Sequence, residues 1–349
     1  MCILVTGGAG YIGMHIVKAL KNLDLDCIVL DKNIRLNSKK ILDNLEITYI
    51  SGDVGDKNLV RQILNGSHPK SLKRSITGIL HLAAYIDVAE SCNEPLKYYA
   101  NNAFASLSFF EAIVEENRKM KKDIPLVFSS TCAVYGEPKQ LPINETNPIN
   151  PINPYGKSKF FAEQMLNDFG KSYGLRSIIF RFFNAAGADI DGEIGEEHDP
   201  ETHLIPKILE TIIRNQNVIN IYGGNYETKD GTCIRDFIHV IDLANAHIKA
   251  LDYLMNQEVS RNNKCKTNIF NLGNGKGYSV KEVIDNIEKI VGINLKKNIV
   301  ERRPFDPPVL IACTKKIKKH LNWEPKYPEL ESIIKHAWKW HSRKKRVIS

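Results

Sequence analysis

A short apolar strand runs directly into a glycine-rich turn at the start of the chain. Residues 2–5 read Cys-Ile-Leu-Val, and residues 6–13 read Thr-Gly-Gly-Ala-Gly-Tyr-Ile-Gly. Glycine is needed where the backbone must approach a pyrophosphate, because a Cβ would hold the phosphate away, and the following helix N-terminus supplies N–H donors and positive dipole. The motif therefore predicts a dinucleotide-binding turn formed by Gly7, Gly10, Tyr11, Ile12 and Gly13.

An acidic residue closes the next predicted strand. Asp31 follows the strand at residues 26–30 and comes 18 residues after Gly13. A carboxylate at this place accepts hydrogen bonds from the adenosine ribose and repels a 2′-phosphate, which favours NAD over NADP, although the adjacent Lys32 could tolerate that phosphate. Asp53 and Val54 follow the third strand, where an adenine contact is expected; for Asp53 alone, a plain turn residue is an equal alternative.

The rest of the first half alternates between strands and helices. Apolar, β-branched runs lie at residues 47–50, 78–82, 124–128 and 176–182, and helical patterns lie at 11–20, 57–64, 95–114 and from 153–154 onward. Strands that are apolar on both faces and separated by helices indicate a parallel sheet with crossover helices. We predict an α/β fold: a Rossmann-type, doubly wound NAD-binding domain at residues 1–184, to which later segments can return, and a smaller mixed α/β substrate domain mainly at 185–349.

Composition narrows the function classes. The chain has 349 residues, 43% apolar and 25% charged, which is ordinary for a soluble globular protein. The net charge of +8 permits an anionic ligand without requiring nucleic acid. No apolar run approaches the length of a membrane span, and no signal peptide is recognisable. Seven scattered cysteines without a C-x-x-C pair predict no metal site and a cytoplasmic location.

A tyrosine and a lysine stand four residues apart at the start of the helix predicted from Asn153-Pro154. Tyr155 and Lys159 therefore share one helical face, and a nearby ammonium lowers the pKa of a phenol towards neutral pH. Residues 129–131, Ser-Ser-Thr, end the fifth strand at the edge where such sheets bind ligands, although three small polar residues also suit a simple turn.

Several stretches together carry a resemblance to a known family. They read VTGGAGYIG, FSSTCAVYG, NPYGKSK, RFFNAAGA, HLIPKI, DGTCIRDFIHVIDLA, FNLGNGKGYSV and RRPFDPPVL. The chain resembles the extended short-chain dehydrogenase/reductase family, and within it the UDP-glucose 4-epimerases, from Leu4 to about His341.

The resemblance implies an isomerase of nucleotide-sugar and galactose metabolism. It would interconvert UDP-glucose and UDP-galactose by transient oxidation at sugar C4 with tightly bound NAD, through a 4-keto intermediate, with the hydride returned to the opposite face. Tyr155 would take the 4-hydroxyl proton, Thr131 would assist it, and Lys159 would bind the nicotinamide ribose. A homodimer formed through the helices at 95–114 and 155–169 is also implied.

The same resemblance implies two further sets of binding residues. Those near the cofactor, besides the glycine turn and the acids already described, are Leu82, Ala83, Ala84, Asn102, Ser129, Tyr155, Lys159 and Phe182. Those near the UDP-sugar are Thr131, Tyr155, Asn184, His203, Leu204, Asn220, Tyr222, Arg235, Arg303 and Asp306. Taken alone, Arg235 beside Asp236 is better explained as a surface ion pair.

Three alternatives remain open. A 4-epimerase of another UDP sugar (an N-acetylhexosamine, glucuronate or a pentose) shares every motif, although Leu310 lies near the position where the family uses side-chain size to admit a 2-N-acetyl group, and leucine is large. A nucleotide-sugar 4,6-dehydratase is disfavoured, because Cys132 and Ala133 follow Thr131 where that family carries Asp and Glu. A non-catalytic NAD-binding protein would not need Tyr155, Lys159 and Thr131.

Overall fold

The structure is a computed structural model that describes residues 1–71, 75–256, 267–304 and 306–348. Its strands are β1 (Cys2–Thr6), β2 (Asp26–Asp31), β3 (Thr48–Ser51), β4 (Ile76–His81), β5 (Leu126–Thr131), β6 (Ser177–Phe182), β7 (Asn184–Ala186), β8 (Val218–Tyr222), β9 (Ile234–His239), β10 (Asn268–Leu272), β11 (Gly277–Ser279), β12 (Lys296–Val300) and β13 (Val309–Leu310). Within the described ranges, none of the helices combines the length and the apolar character that crossing a bilayer requires.

The α-helices are α1 (Tyr11–Asn22), α2 (Leu36–Asn44), α3 (Lys57–Leu64), α4 (Val88–Asn93), α5 (Pro95–Tyr98), α6 (Ala105–Met120), α7 (Pro154–Tyr173), α8 (Leu204–Ile213), α9 (Val240–Asn256), α10 (Val280–Val291), α11 (Lys315–Leu321) and α12 (Leu330–Ile348). A π-helical segment, Tyr99–Phe104, joins α5 to α6. Short 3-10 turns lie at Pro69–Ser71 and Cys132–Tyr135.

The chain divides into two compact units. Unit 1 comprises residues 1–134, 151–181 and 244–270, and unit 2 comprises 135–150, 182–243 and 271–349. The domain boundary predicted near residue 184 stays a prediction. The chain passes from unit 1 to unit 2 after residue 181, and residues 135–150 already belong to unit 2. Segment 244–270 is a later part of the chain that belongs to unit 1.

Unit 1 is built on a seven-stranded sheet. The strand order is β10-β6-β5-β4-β1-β2-β3, and the pairs β1–β2, β2–β3, β1–β4 and β4–β5 are parallel. Chain order reverses between β1 and β4, and in such sheets ligands bind in the crevice beyond the carboxyl ends of the strands at this point. The Rossmann-type fold predicted from the strand and helix rhythm is confirmed.

The core of unit 1 explains why its strands read as continuous apolar runs. Residues of β1 are at most 3% exposed, and Leu4 and Ile28 pack with Phe109 and Phe110 of α6 in one buried cluster. Burial on both faces leaves no polar alternation along the strands. The sheet therefore holds the loops that follow β1, β4 and β5 on a rigid base.

Unit 2 is the smaller, mixed unit. Its four-stranded sheet has the order β11-β9-β13, with β7 pairing to β9 as well, and β8 pairs with β12 in a separate parallel ribbon. Ile208 and Leu209 of α8 pack with Ile333 and Ile334 of α12 in its apolar core. Strands as short as β13 give little periodic signal, and their positions were not predicted from the sequence.

The prediction of one long helix at residues 95–114 is wrong in detail. Three helical segments occupy this stretch, and the π-helical turn in the middle carries Asn102. Asn102 Oδ1 accepts from the Tyr85 N–H at 2.9 Å, and its Nδ2 donates to the Tyr85 carbonyl at 2.9 Å. These bonds hold Asn102 inward, and π-turns of this kind, frequent at functional sites, have no signature in a 3.6-residue pattern.

Candidate active site

The glycine turn after β1 is shaped by backbone contacts that leave no room for side chains. Gly7 has φ +68°, and a Cβ built on it would lie 2.7 Å from the Ala83 nitrogen. A Cβ on Gly13 would lie 2.2 Å from the Gly7 carbonyl oxygen. Gly10 caps α1 and offers no side chain to the first-turn N–H groups. This helix end is therefore an open anion-binding cradle, and it fits the diphosphate of a dinucleotide.

Asp31 closes the cradle on one side. Its Oδ2 accepts from the Ala9 N–H at 3.1 Å and its Oδ1 from the Asn33 N–H at 2.9 Å. Burial raises the pKa of the Asp31 carboxyl, and these two backbone hydrogen bonds oppose the rise. A carboxylate fixed in this way is suited to accept ribose hydroxyl groups.

Lys32 does not offer its charge to a 2′-phosphate in this structure. Its ammonium lies 3.6 Å from an Asp53 carboxylate oxygen, donates to Asn101, and stands 4.5 Å from the centre of the Tyr85 ring. Asp53 also accepts from the Gly55 N–H at 2.7 Å, and Val54 is buried. The Lys32 ammonium is therefore held by Asp53 and Asn101.

Leu82, Ala83 and Ala84 follow β4 beside the glycine turn. The Leu82 N–H donates to the Thr6 carbonyl at 3.0 Å, which keeps this loop against β1. Ser129, on β5, is buried with its hydroxyl 2.8 Å from His247 Nε2. Phe182, the last residue of β6, is partly buried.

Tyr155 and Lys159 lie on one face of α7, which begins where the sequence predicted. The Asn153 side chain caps the helix by accepting from the Gly156 N–H at 2.8 Å, and Pro154 takes the first helical position. Both side chains are buried, at 7% and 3% exposure. The capping fixes the first turn, on which the tyrosine stands.

The Tyr155 hydroxyl is hydrogen-bonded to Thr131. Burial raises the pKa of Tyr155 to about 12, and the bond to Thr131 works against that rise. Thr131 Oγ1 also accepts from the Ala133 N–H at 3.1 Å. The hydroxyl of the fifth strand and the phenol of α7 are thus brought together.

Lys159 has a strongly altered acidity. Burial lowers the pKa of its ammonium to about 7, and the negative charge of Glu163 opposes the shift. Its Nζ stands 4.4 Å from the centre of the Phe128 ring. Perturbed groups side by side in a ligand crevice are typical of acid–base catalysis.

Glu163 was missed by the sequence analysis. It is 2% exposed and binds Arg181 of β6 through two nitrogens, with Nε 3.0 Å from Oε1 and Nη2 2.5 Å from Oε2. Ser130 donates to Glu163 at 2.5 Å. The spacing Tyr155, Lys159, Glu163 continues one helical face and could have revealed it. One carboxylate thereby ties together β5, α7 and β6.

In unit 2, Arg235 pairs with Asp306 and not with Asp236. Arg235 Nη2 donates to Asp306, and Nη1 donates to the Ile234 carbonyl at 2.8 Å. Asp236 is fully buried and accepts N–H groups from Asn274, Gly275 and Ala312. Successive strand residues point to opposite faces, so the surface ion pair considered from the sequence does not form.

Arg303 and Tyr222 form a second pair in unit 2. The guanidinium carbon lies 4.0 Å from the centre of the Tyr222 ring, which is 41% exposed. A cleft of about 540 Å³ is lined by residues 223–225 and 299–302, next in sequence to this pair. Asn220 lies two residues before Tyr222 on the same face of β8 and is exposed.

The remaining predicted contacts also lie in unit 2. Asn184 begins β7 and pairs in register with Phe237. His203 is the N-cap residue of α8, and Leu204 is its first helical residue. The His203 Nδ1 lies 2.5 Å from a Glu196 carboxylate oxygen, which fixes the imidazole at this corner.

Comparisons with known proteins place this geometry in a family. A family profile described as GDP-mannose 4,6 dehydratase matches residues 4–336. UDP-glucose 4-epimerase of Halalkalibacterium halodurans is 43% identical over 341 residues, covering 98% of this chain and 96% of that protein. The chain belongs to the UDP-glucose 4-epimerase family.

Solved structures of that family agree. The UDP-glucose 4-epimerase of Brucella ovis in complex with NAD is 38% identical, with a TM-score of 0.84 and 97% of each chain covered. The Bifidobacterium longum enzyme in complex with NAD⁺ and UDP is 31% identical, with a TM-score of 0.86 and 98% of each chain covered. The family, the isomerase class and the NAD cofactor predicted from the sequence are thereby confirmed.

The dehydratase named by the broad family profile is not favoured. The curated relatives of this chain from Halalkalibacterium halodurans and Lacticaseibacillus casei, 43% and 41% identical to it, are UDP-glucose 4-epimerases. The residues after Thr131 are Cys132 and Ala133, which supply no carboxyl group.

Proposed function

We propose that the protein interconverts UDP-glucose and UDP-galactose with a tightly bound NAD. The observation that carries the proposal is the Tyr155 hydroxyl bonded to Thr131, with Lys159 one helical turn further along the same face. The glycine cradle and Asp31 belong to the same unit as these three residues.

NAD would be held by the glycine turn, whose shape fits its diphosphate, and by the residues around that turn. The turn from Gly7 to Gly13 would hold the diphosphate, and Asp31 the adenosine ribose. Asp53 and Val54 would contact the adenine. The rest of the NAD molecule would be surrounded by Leu82, Ala83, Ala84, Asn102, Ser129, Tyr155, Lys159 and Phe182. Bound NAD supplies the hydride acceptor and donor for sugar C4.

Tyr155 would move the proton. Its phenolic oxygen takes the proton of the sugar 4-hydroxyl during oxidation and returns it during reduction, while the Thr131 hydroxyl forms a hydrogen bond to the same sugar oxygen. The Lys159 ammonium stabilises the phenolate, and Glu163 stabilises that ammonium. Because a single group both removes and restores the proton, it serves either epimer.

UDP would be held by unit 2. Arg235 and Arg303 present forked donors suited to a diphosphate, and the exposed ring of Tyr222 offers a stacking face for uracil. Asp306 would bind the uridine ribose, and Asn220 the base. The sugar nucleotide would also contact Asn184, His203 and Leu204, and the start of α8 adds N–H donors.

A homodimer is part of the proposal. Leu96, Phe104 and Phe161 are 78%, 64% and 49% exposed on α5, the π-helical segment and α7. Large apolar side chains exposed on neighbouring helices are typical of an interface. A cytoplasmic location is proposed with it, since the free thiols of Cys92, Cys233 and Cys313 suit a reducing compartment.

A panel of UDP sugars tests the proposal. Purified protein is incubated separately with UDP-galactose, UDP-N-acetylglucosamine, UDP-glucuronate and UDP-xylose, products are separated by chromatography, and the cofactor released by denaturation is identified. We expect turnover of UDP-galactose to UDP-glucose, bound NAD, and weak activity on the acetylated sugar, because Leu310 is large and lies buried in register with Arg235.

Each contrary result of the panel points to a different function. Faster turnover of another UDP sugar would mean that this sugar is the substrate, with the 4-epimerase reaction unchanged. Bound NAD without turnover of any sugar would favour a non-catalytic NAD-binding protein, and protein with neither NAD nor turnover would remove the proposal.

A further inference from the structure

Two histidines and two glutamates converge in the loop that precedes α8. We call Glu196, His198, Glu201 and His203 the His/Glu cluster. One ligating atom from each of the four residues lies within 4.8 Å of the others. The spacing E-x-H-x-x-E-x-H brings them together within eight residues of one segment of unit 2.

The distances in the His/Glu cluster approach those of a tetrahedral metal site. His198 Nδ1 lies 3.3 Å from Glu196 Oε1 and 3.7 Å from Glu201 Oε2. His203 Nδ1 lies 2.5 Å from Glu196 Oε1 and 3.8 Å from Glu201 Oε1. Zinc bonds of about 2.1 Å to nitrogen and oxygen place neighbouring donors about 3.4 Å apart. Small shifts, the largest at the 2.5 Å contact, would convert the observed cluster into a tetrahedral zinc site.

The two carboxylates of the cluster can be balanced by one divalent cation, in competition with protonation of the two imidazoles, whose pKa values the glutamates raise. Glu196 and Glu201 are 3% and 6% exposed, and buried carboxylates require a cationic partner. Across the described part of the chain, the groups that approach these two carboxylates as cations are His198 and His203 alone. With both imidazoles neutral, the four donors carry two negative charges, which one divalent ion balances.

A buried nitrogen adds an independent indication. His198 Nδ1 is shielded from solvent and makes no hydrogen bond of acceptable geometry with any described residue, although two carboxylates are near. Glu201 is already oriented, because its Oε1 accepts N–H groups of Thr202 and His203 at 2.9 Å each. Ligands of structural metals are commonly held by such outer hydrogen bonds.

We propose that the His/Glu cluster binds one Zn²⁺ through the two imidazole Nδ1 atoms and one oxygen of each glutamate. Four protein ligands leave no open position, so the ion is structural and secures the loop at the start of α8. The proposal does not depend on the epimerase activity. It opposes the absence of a metal expected from the sequence, which was judged from cysteine spacing only.

Zinc stoichiometry tests the proposal directly. The full-length protein is treated with a chelator, incubated with Zn²⁺ and desalted, and its zinc is measured by plasma mass spectrometry. We expect about one zinc per chain in the wild type and in His320→Gln, an exposed histidine outside the cluster. In His198→Gln and Glu201→Gln, retained zinc falls by about tenfold or more.

X-ray absorption of the zinc-loaded wild type identifies the ligands without relying on any variant. A first shell of nitrogen and oxygen at about 2.0–2.1 Å supports the cluster. Wild type that retains no more zinc than the two variants, or a first shell that contains sulfur, would overturn the proposal and leave the cluster as a set of ion pairs.

Discussion

Tyr155 and Lys159 share one face of α7, and burial shifts both pKa values in the direction that favours the uncharged phenol and the uncharged amine. The pKa of Tyr155 rises to about 12 and that of Lys159 falls to about 7. At slightly alkaline pH, the pair without cofactor is therefore largely neutral. Its use as an acid–base pair requires added positive charge, and the oxidised nicotinamide ring is such a charge.

Replacing Tyr155 by Phe should separate cofactor binding from chemistry. We expect kcat on UDP-galactose to fall by about 10²–10⁴-fold, because the phenol bonded to Thr131 is lost. NAD content should not change, since the glycine cradle and Asp31 are untouched. Rates and released NAD are measured on the same preparations, with the half-exposed Tyr173→Phe as control. A near wild-type rate would contradict the choice of base.

Replacing Lys159 by Met should stabilise the protein without cofactor while abolishing activity. The pKa of Lys159 is lower folded, about 7, than its ordinary 10.5, so the unfolded chain holds the proton more strongly between these values. Burying the lysine therefore costs at most about 5 kcal/mol below pH 7, and the cost fades as pH rises towards 10.5.

Thermal unfolding as a function of pH measures this cost. The variant should melt above the wild type, with the largest difference at or below pH 7 and a shrinking difference above it. Lys157→Met, an exposed lysine of the same helix, should show no such trend. A difference that grows with pH would mean that Lys159 is not buried as a neutral amine.

How much could be read from the sequence depended on how local each feature is. The strand before the glycine turn, Asp31 and the pair Tyr155–Lys159 lie in short windows with a regular period, and the structure places them as expected. Arg235 and Asp306 are 71 residues apart and Glu163 and Arg181 belong to different elements. Pairings of this kind depend on tertiary packing, which no local pattern encodes.

The glycine turn should not tolerate the smallest added side chain. In Gly13→Ala the new Cβ would meet the Gly7 carbonyl oxygen at 2.2 Å, so α1 must move away from the turn. We expect NAD retention to fall by at least about tenfold. Gly174→Ala, at φ +75° with open space around it, should cost about 1 kcal/mol of stability and keep NAD. Equal NAD content in the two variants, measured after desalting, would contradict the cradle.

Glu163 should affect catalysis by anchoring the elements that carry the catalytic residues. Two variants can separate this positioning role from its contribution to stability. Glu163→Gln removes the carboxylate that binds the buried Arg181 guanidinium and should cost about 3–5 kcal/mol of unfolding free energy. The double variant Glu163→Met, Arg181→Met removes both charges and should recover most of that loss. Its kcat should nevertheless stay about tenfold low with NAD retained, because Ser130 and α7 no longer share an anchor beside Thr131 and Lys159. Denaturant unfolding and kcat measured at saturating UDP-galactose decide between the roles. A double variant with wild-type kcat would show that the pair serves stability alone.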